Sequence, residues 1–300
     1  MIITALRPGD SRFDALPGWD YAPRYLDDLP GYGGLRVHYI DEGPAEAAHT
    51  FLCLHGEPTW GYLFRKMIPV FLRSGARVVA PDLLGFGRSD KPVDETVYSF
   101  DFHRDLLLAV IDRLDLRRVT LVVQDWGGLL GLTLPHARPD RIDRLLVMNT
   151  ALPVGEPLGQ GFADWRAYVA AHPDLDVARL MARSTPVLSP EEAAAYAAPF
   201  PDIRHKAGVR RFPQMVMTAP GMDGIPHSRD ARAFLATRWQ GKSFMAIGML
   251  DPVLGPPAMT ALHALIRGCP PPMEVPDAGH FVQEWGARVA EAALTHWGDL

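Results

Sequence analysis

The sequence predicts an α/β fold: a mostly parallel sheet flanked by helices, with a helical segment inserted late in the chain. Three observations predict it. Apolar, β-branched runs alternate with helix-length amphipathic stretches, the pattern of a parallel sheet covered by helices. One such run, at 119–123, stops at an acidic residue followed by two glycines, the mark of a sharp strand-to-helix turn. From 151 to 227 the alternation lapses into Pro- and Ala-rich sequence with scattered aromatics and no strand pattern.

In chain order, runs at 25–29 and 35–40 flank a turn containing Gly31, Gly33 and Gly34 and read as an antiparallel hairpin. A strand at 51–54 precedes a helix from about Tyr62, a strand at 78–80 a helix at 100–114, and the strand at 119–123 a helix at 129–137. A strand at 144–148 closes this half. Helical stretches follow at 164–171 and 190–198, strands return at 243–249 and 273–275, and 282–297 reads as a terminal amphipathic helix. The expected organisation is a core of 1–150 with 228–300, and a helical cap of 151–227. There is no internal repeat or low-complexity tract, and the sole asparagine, Asn149, precedes Thr-Ala and so makes no glycosylation sequon.

With 300 residues and a net charge of −5, the chain has ample core and no basic field for nucleic acid or anionic lipid. Mean hydropathy is −0.02, and no apolar run approaches membrane-spanning length. The first residues lack a charged and apolar secretory leader, so a cytoplasmic protein is expected. Cys53 in a strand pattern and Cys269 in a Pro-rich turn have no framework spacing and read as reduced, structural thiols.

The turn Val122-Val123-Gln124-Asp125-Trp126-Gly127-Gly128 has the geometry of a nucleophile elbow, with Gly127 allowing close approach of strand and helix. A carboxylate there is already anionic, favoured further by the helix N-terminus, and attacks without a base. It can displace a leaving group from saturated carbon, forming an alkyl ester that histidine-activated water must hydrolyse. The plainer alternative is that Asp125 only caps the helix. His280 lies in a loop after the last strand, on the side of such sheets where ligands bind. Asp251, at the end of the preceding strand, is placed to accept its second N–H, or else is a turn aspartate before Pro252. The equivalent position one strand earlier is Asn149, which carries no charge, leaving Asp251 as the acid. The loop His55-Gly56-Glu57-Pro58-Thr59-Trp60 follows another strand end, where the N–H groups of Glu57 and Trp126 would form an oxyanion hole; alternatively it is a Gly-Pro turn. Asp82 to Ser89 lacks the lysine of a phosphate loop and reads as a structural turn. No cluster has metal-ligand spacing, so no metal is expected.

Across nearly the whole chain these residues resemble the haloalkane dehalogenases of the α/β-hydrolase superfamily. The resemblance rests on His-Gly-Glu-Pro-Thr-Trp at 55–60, Asp-Leu-Leu-Gly-Phe-Gly-Arg-Ser at 82–89, Val-Val-Gln-Asp-Trp-Gly-Gly at 122–128, and the loops of Asp251 and His280. It is nearest the subfamily whose acid follows the later strand, and departs from the general elbow in having Val123 where a glycine is usual. It implies an α/β-hydrolase fold with an inserted cap, and the order nucleophile, acid, histidine fits. The resemblance further implies Asp125 as nucleophile, His280 as base and Asp251 as its partner, with small halogenated alkane, halide and water as partners. It implies no cofactor, and a monomeric enzyme is expected.

A departing halide needs donors that are neither basic nor nucleophilic, and indole N–H groups suit. Trp126 adjoins the nucleophile and Trp165 is the only tryptophan within 151–227, so the two are the expected halide clamp; Trp165 could equally be a packing residue. An ionised Glu57 has no side-chain donor, and the resemblance gives it the hydrolytic water to orient. Phe162, Phe212, Leu129, Val216, Val253 and Leu254 are the expected apolar lining, each with ordinary core as its alternative. Two rival functions stand beside this one. An epoxide hydrolase would use Tyr168 and Tyr196 of the cap as acids, and a ligand receptor would keep the fold without turnover.

Overall fold

The computed structural model describes residues 3–300. Its main sheet has eight strands: β1 (Arg24–Leu26), β2 (Val37–Glu42), β3 (Thr50–Leu54), β4 (Arg77–Pro81), β5 (Val119–Val123), β6 (Ile142–Met148), β7 (Lys242–Gly248) and β8 (Met273–Val275). Their order is β8-β7-β6-β5-β3-β4-β2-β1; β2 runs antiparallel to both its neighbours and the other pairings are parallel. Every residue of β3 and β5 is buried, as expected of central strands covered on both faces. A further two-residue pairing, Ala5–Leu6 with Lys91–Pro92, was not legible as a strand pattern.

Eleven α-helices complete the described chain: α1 (Ile68–Arg73), α2 (Phe100–Arg113), α3 (Trp126–Gly131), α4 (Leu134–Ala137), α5 (Gln160–Ala171), α6 (Val177–Ser184), α7 (Pro190–Ala197), α8 (Ala207–Met215), α9 (Ile225–Thr237), α10 (Pro256–Leu265) and α11 (Gly286–Trp297). The helix expected at 129–137 is two helices. α3 starts earlier, directly after Asp125, and Pro135 has no N–H to donate back to Gly131, so the first helix ends and α4 begins. The helix expected from Tyr62 is a 3-10 turn at Gly61–Phe64 followed by α1, and the terminal helix likewise opens with a 3-10 turn at Val282–Trp285.

Between β6 and β7 lie α5 to α9, with no strand among them. α5 packs on α8 and α6 on α7. α7 is locally well specified: Ser189 and Glu192 form a reciprocal capping box, and Pro190 occupies the first turn, where a missing N–H is harmless. α9 runs through position 227 and packs on α4 and α10.

Register sets the site. Leu54 of β3 pairs with Val123 of β5, and Gly248 of β7 pairs with Val275 of β8. The loops carrying Glu57 and Asp125 therefore start level with one another, as do those carrying Asp251 and His280. Chain order reverses between β3 and β5, which is where open α/β sheets form their ligand crevice.

Candidate active site

The elbow is a backbone feature first. Asp125 sits at φ 49°, a left-handed conformation that costs a non-glycine residue about 1–3 kcal/mol and turns β5 abruptly into α3. Two glycines make room for it. A Cβ on Gly127 would lie 1.9 Å from the Leu54 carbonyl oxygen, and one on Gly56 would lie 2.2 Å from Asp125 Oδ1. The Asp125 N–H donates to the Asn149 carbonyl at 3.0 Å, and Thr150 Oγ1 donates to the Asp125 carbonyl at 2.7 Å. No side-chain cap ties Asp125 to α3, so the helix-cap alternative does not describe it.

The Asp125 carboxylate has two distinct oxygens. Oδ1 accepts the Glu57 N–H at 2.9 Å, while Oδ2 lies 3.6 Å from His280 Nε2. Trp126 N–H, the other expected oxyanion donor, makes no hydrogen bond to this carboxylate.

His280 Nδ1 donates to Asp251 Oδ2 at 2.8 Å. That carboxylate is otherwise fully engaged: Asn149 Nδ2 donates to Oδ2 at 2.9 Å and the Val253 N–H to Oδ1 at 2.8 Å. Burial works against its charge, but the His280 ring and these donors outweigh burial and bring the Asp251 pKa down to about 2. At His280 burial also opposes the charge, and there Asp251 and Asp125 prevail and raise the pKa to about 10.

Glu57 departs from expectation. It is buried, Oε1 has no hydrogen-bond partner, and desolvation together with the Asp125 charge pushes its carboxyl well above the usual carboxylate range, His280 opposing only in part. Burial and the Asp125 charge thus act against the ionised side chain read from the sequence, and a neutral carboxyl would carry an O–H donor.

These groups open onto a cavity of about 190 Å³. Its wall includes Glu57, Asp125, Trp126, Asp251 and His280, and the expected Leu129, Phe162, Val216, Val253 and Leu254. Trp165 of α5 is also in the wall. The indole N–H groups of Trp60, Trp239 and Trp285 are committed to Ala195, Ser243 and Asp277; among the described residues none accepts from Trp19, Trp126, Trp165 or Trp297, and of these Trp126 and Trp165 line the cavity. Phe212 is not in the wall. It is fully buried, its ring edge-on to Trp126 with centroids 4.7 Å apart, so it backs the indole rather than facing the cavity. Leu158, Leu180, Ser184, Pro213 and Phe281 also line the cavity and were not singled out from sequence.

Neither cap tyrosine reaches the cavity. Tyr168 is 42% exposed. Tyr196 is fully buried, its hydroxyl donating to Glu284, whose two oxygens also accept from Arg65 at 2.7 and 2.8 Å. Arg65 further bonds Glu192 of α7 at 2.8 Å, so this buried cluster ties the insert to the turn that follows His280. The tyrosine pair expected to protonate an opening epoxide is therefore missing from the wall.

Two supporting residues escaped the sequence reading. Asn149 was weighed only as a missing acid, yet it bonds Asp251 and clamps Gly248 from both sides, accepting its N–H at 2.8 Å and donating to its carbonyl at 3.1 Å. Gln124 was read only as part of the elbow. The signal available for both was position, since each directly follows the last residue of a central strand.

The α/β hydrolase fold family matches residues 49–287, which agrees with this sheet. Curated relatives are more particular. The chain is 42% identical over 293 residues to the haloalkane dehalogenase of Psychrobacter cryohalolentis, covering 95% of each chain. It is 43% identical over 296 residues to haloalkane dehalogenase 1 of Mycobacterium tuberculosis, covering 97% of each. Among solved structures, the haloalkane dehalogenase DpaA from Paraglaciecola agarilytica, described as tetrameric, superposes with a TM-score of 0.96 at 52% identity over 98% of each chain. The chain belongs to the haloalkane dehalogenase family.

Proposed function

We propose that this enzyme hydrolyses haloalkanes to an alcohol and a halide through an ester on Asp125. The observation that carries the reading is Asp125 Oδ2, 3.6 Å from His280 Nε2 and facing an apolar cavity whose wall also holds two indoles without acceptors among the described residues. Oδ2 attacks the halogen-bearing carbon, the carbon–halogen bond breaks, and the halide leaves toward Trp126 and Trp165, which solvate it without competing as nucleophiles. The cap, in this reading, is the insert that brings Trp165 to the nucleophile.

Ester formation consumes the Asp125 charge. One of the two carboxylates raising the His280 pKa then disappears at the step where a base is needed. His280 Nε2 takes a proton from water, the hydroxide oxygen adds to the ester carbonyl, and charge builds on the oxygen held by the Glu57 N–H. As the adduct collapses, the His280 imidazolium gives its proton to the departing alkoxide, the alcohol leaves, and the Asp125 carboxyl ionises to restore the carboxylate. One proton and one halide are released per turnover.

All these residues come from one chain, so turnover requires no second copy. The reading places the enzyme in the cytoplasm as a monomer; sedimentation velocity should give a species near 33.1 kDa, and a tetramer like that described for the relative would contradict this. Among the described residues no helix is long and apolar enough to cross a membrane. The functional test is halide release from a panel of short bromo- and chloroalkanes, run beside a panel of epoxides. Bromoalkane turnover far above epoxide turnover is expected, and the reverse order would replace the reading with epoxide hydrolysis.

A further inference from the structure

Gln124, between β5 and the nucleophile, is fully buried, and its side-chain amide lies against the base rather than in the cavity wall. Its Nε2 is 3.1 Å from the His280 carbonyl oxygen and 2.9 Å from His280 Nε2. Its Oε1 lies 3.5 Å from Gln283 Nε2. The orientation of the amide is fixed by these partners, because a flipped amide would set its oxygen against the His280 carbonyl and its nitrogen against that of Gln283. Both N–H groups of the amide thus point at one residue, the first at its carbonyl and the second at its ring. An N–H at that distance from a ring nitrogen meets a lone pair; a protonated Nε2 would oppose donor to donor.

We propose that Gln124 is a positioning residue for hydrolysis: anchored on the His280 carbonyl, its amide donates to His280 Nε2 and keeps that nitrogen an acceptor until water takes its place. The device answers a specific hazard. The charged or titratable groups facing the ring are Asp251 from the loop after β7, Asp125 from the elbow and Glu57 from the loop after β3. Glu284, on the following turn, is committed to Arg65 and Tyr196. Two carboxylates draw a proton onto the ring, and a protonated Nε2 would pair with Asp125 Oδ2, blunting the nucleophile and leaving no base. The Gln124 N–H occupies the site where that proton would sit. It also fixes the Nδ1–H tautomer that Asp251 requires.

This inference rests on the ester mechanism above but is tested separately from it. Gln124→Met keeps length and removes the donor, and Gln124→Glu replaces it with an acceptor for a protonated ring. In single-turnover measurements of ester hydrolysis, the pH at which the rate reaches half its plateau should move up by about one unit in Gln124→Met, the worth of one hydrogen bond to the neutral form, and further in Gln124→Glu. Rates lowered equally at every pH, with the wild-type midpoint kept, would make Gln124 merely structural and overturn the proposal. Should neither variant fold, 15N NMR of histidine-labelled wild type decides, with the His280 resonances assigned by their loss in His280→Gln. An Nε2 that loses its proton well below pH 10, where the two carboxylates alone would hold the ring charged, is expected; an imidazolium pattern persisting to pH 10 would overturn the assignment. The NMR result does not depend on turnover, so wild type that releases no halide would sink the functional reading, whereas an imidazolium persisting to pH 10 in an active enzyme would sink only this one.

Discussion

The two halves of the cavity are built by different physics. The sheet side supplies Glu57, Asp125, Asp251 and His280, each in the short loop after a parallel strand, and holds them through register and hydrogen bonds of 2.8–2.9 Å. The insert side supplies Phe162, Trp165 and Leu180 from helices, and Val216 from just past the end of α8, with one indole N–H among them. The difference teaches that chemistry and selectivity are separable here. Damage to the sheet side should abolish bond making, while damage to the insert should change what is held and how tightly.

The largest effect should come from Asp251→Asn, which keeps the shape of the loop but removes the charge that orients His280 and balances its imidazolium. Turnover should fall roughly 10,000-fold with the fold intact, read by halide release and circular dichroism. Because Asn149 contacts the same carboxylate, Asn149→Asp in that background should return part of the activity. Normal turnover in Asp251→Asn would break the assignment of the sheet side.

The junction between the halves comes next. Arg65→Met leaves Glu284 buried with only Lys66, 2.9 Å away, and Tyr196 as partners, and should lower stability by about 3 kcal/mol in urea unfolding. Wild-type stability in this variant would mean that the buried cluster does not join insert to core.

A smaller effect is expected within the insert. Trp165→Phe retains most of the apolar area and deletes one donor to the halide, a bond worth about 1.5–3 kcal/mol, so bromide binding followed by tryptophan fluorescence should weaken about 10 to 100-fold. Carbon–halogen cleavage should slow while hydrolysis of the ester, once formed, stays near wild type. Unchanged bromide affinity would return Trp165 to a packing role.

The same division explains what could be read from the residues alone. β5 coincides with the apolar run at 119–123, and the elbow, the His-Gly-Glu loop and the two later strand-end loops are written in contiguous residues, because a turn of fixed geometry demands particular residues at fixed offsets. Phe212 and Leu180 show the limit. Both are apolar residues on helices of the insert, but one backs Trp126 and the other faces the cavity, and which does so follows from helix packing that has no local signature. The charge of Glu57 is not legible for another reason: it depends on burial beside Asp125, a neighbour 68 positions away in the chain. The break at Pro135, by contrast, was available in the sequence, since proline cannot donate to the carbonyl one turn back.

The central claim is that Asp125 forms a covalent ester which His280 is needed to hydrolyse. His280→Gln, mixed with a short bromoalkane and examined by intact-protein mass spectrometry, should gain the mass of one alkyl group, with peptide mapping placing it on Asp125 and with bromide released in a single stoichiometric burst. Continued turnover by His280→Gln, or an alkyl group on any residue other than Asp125, would contradict the account.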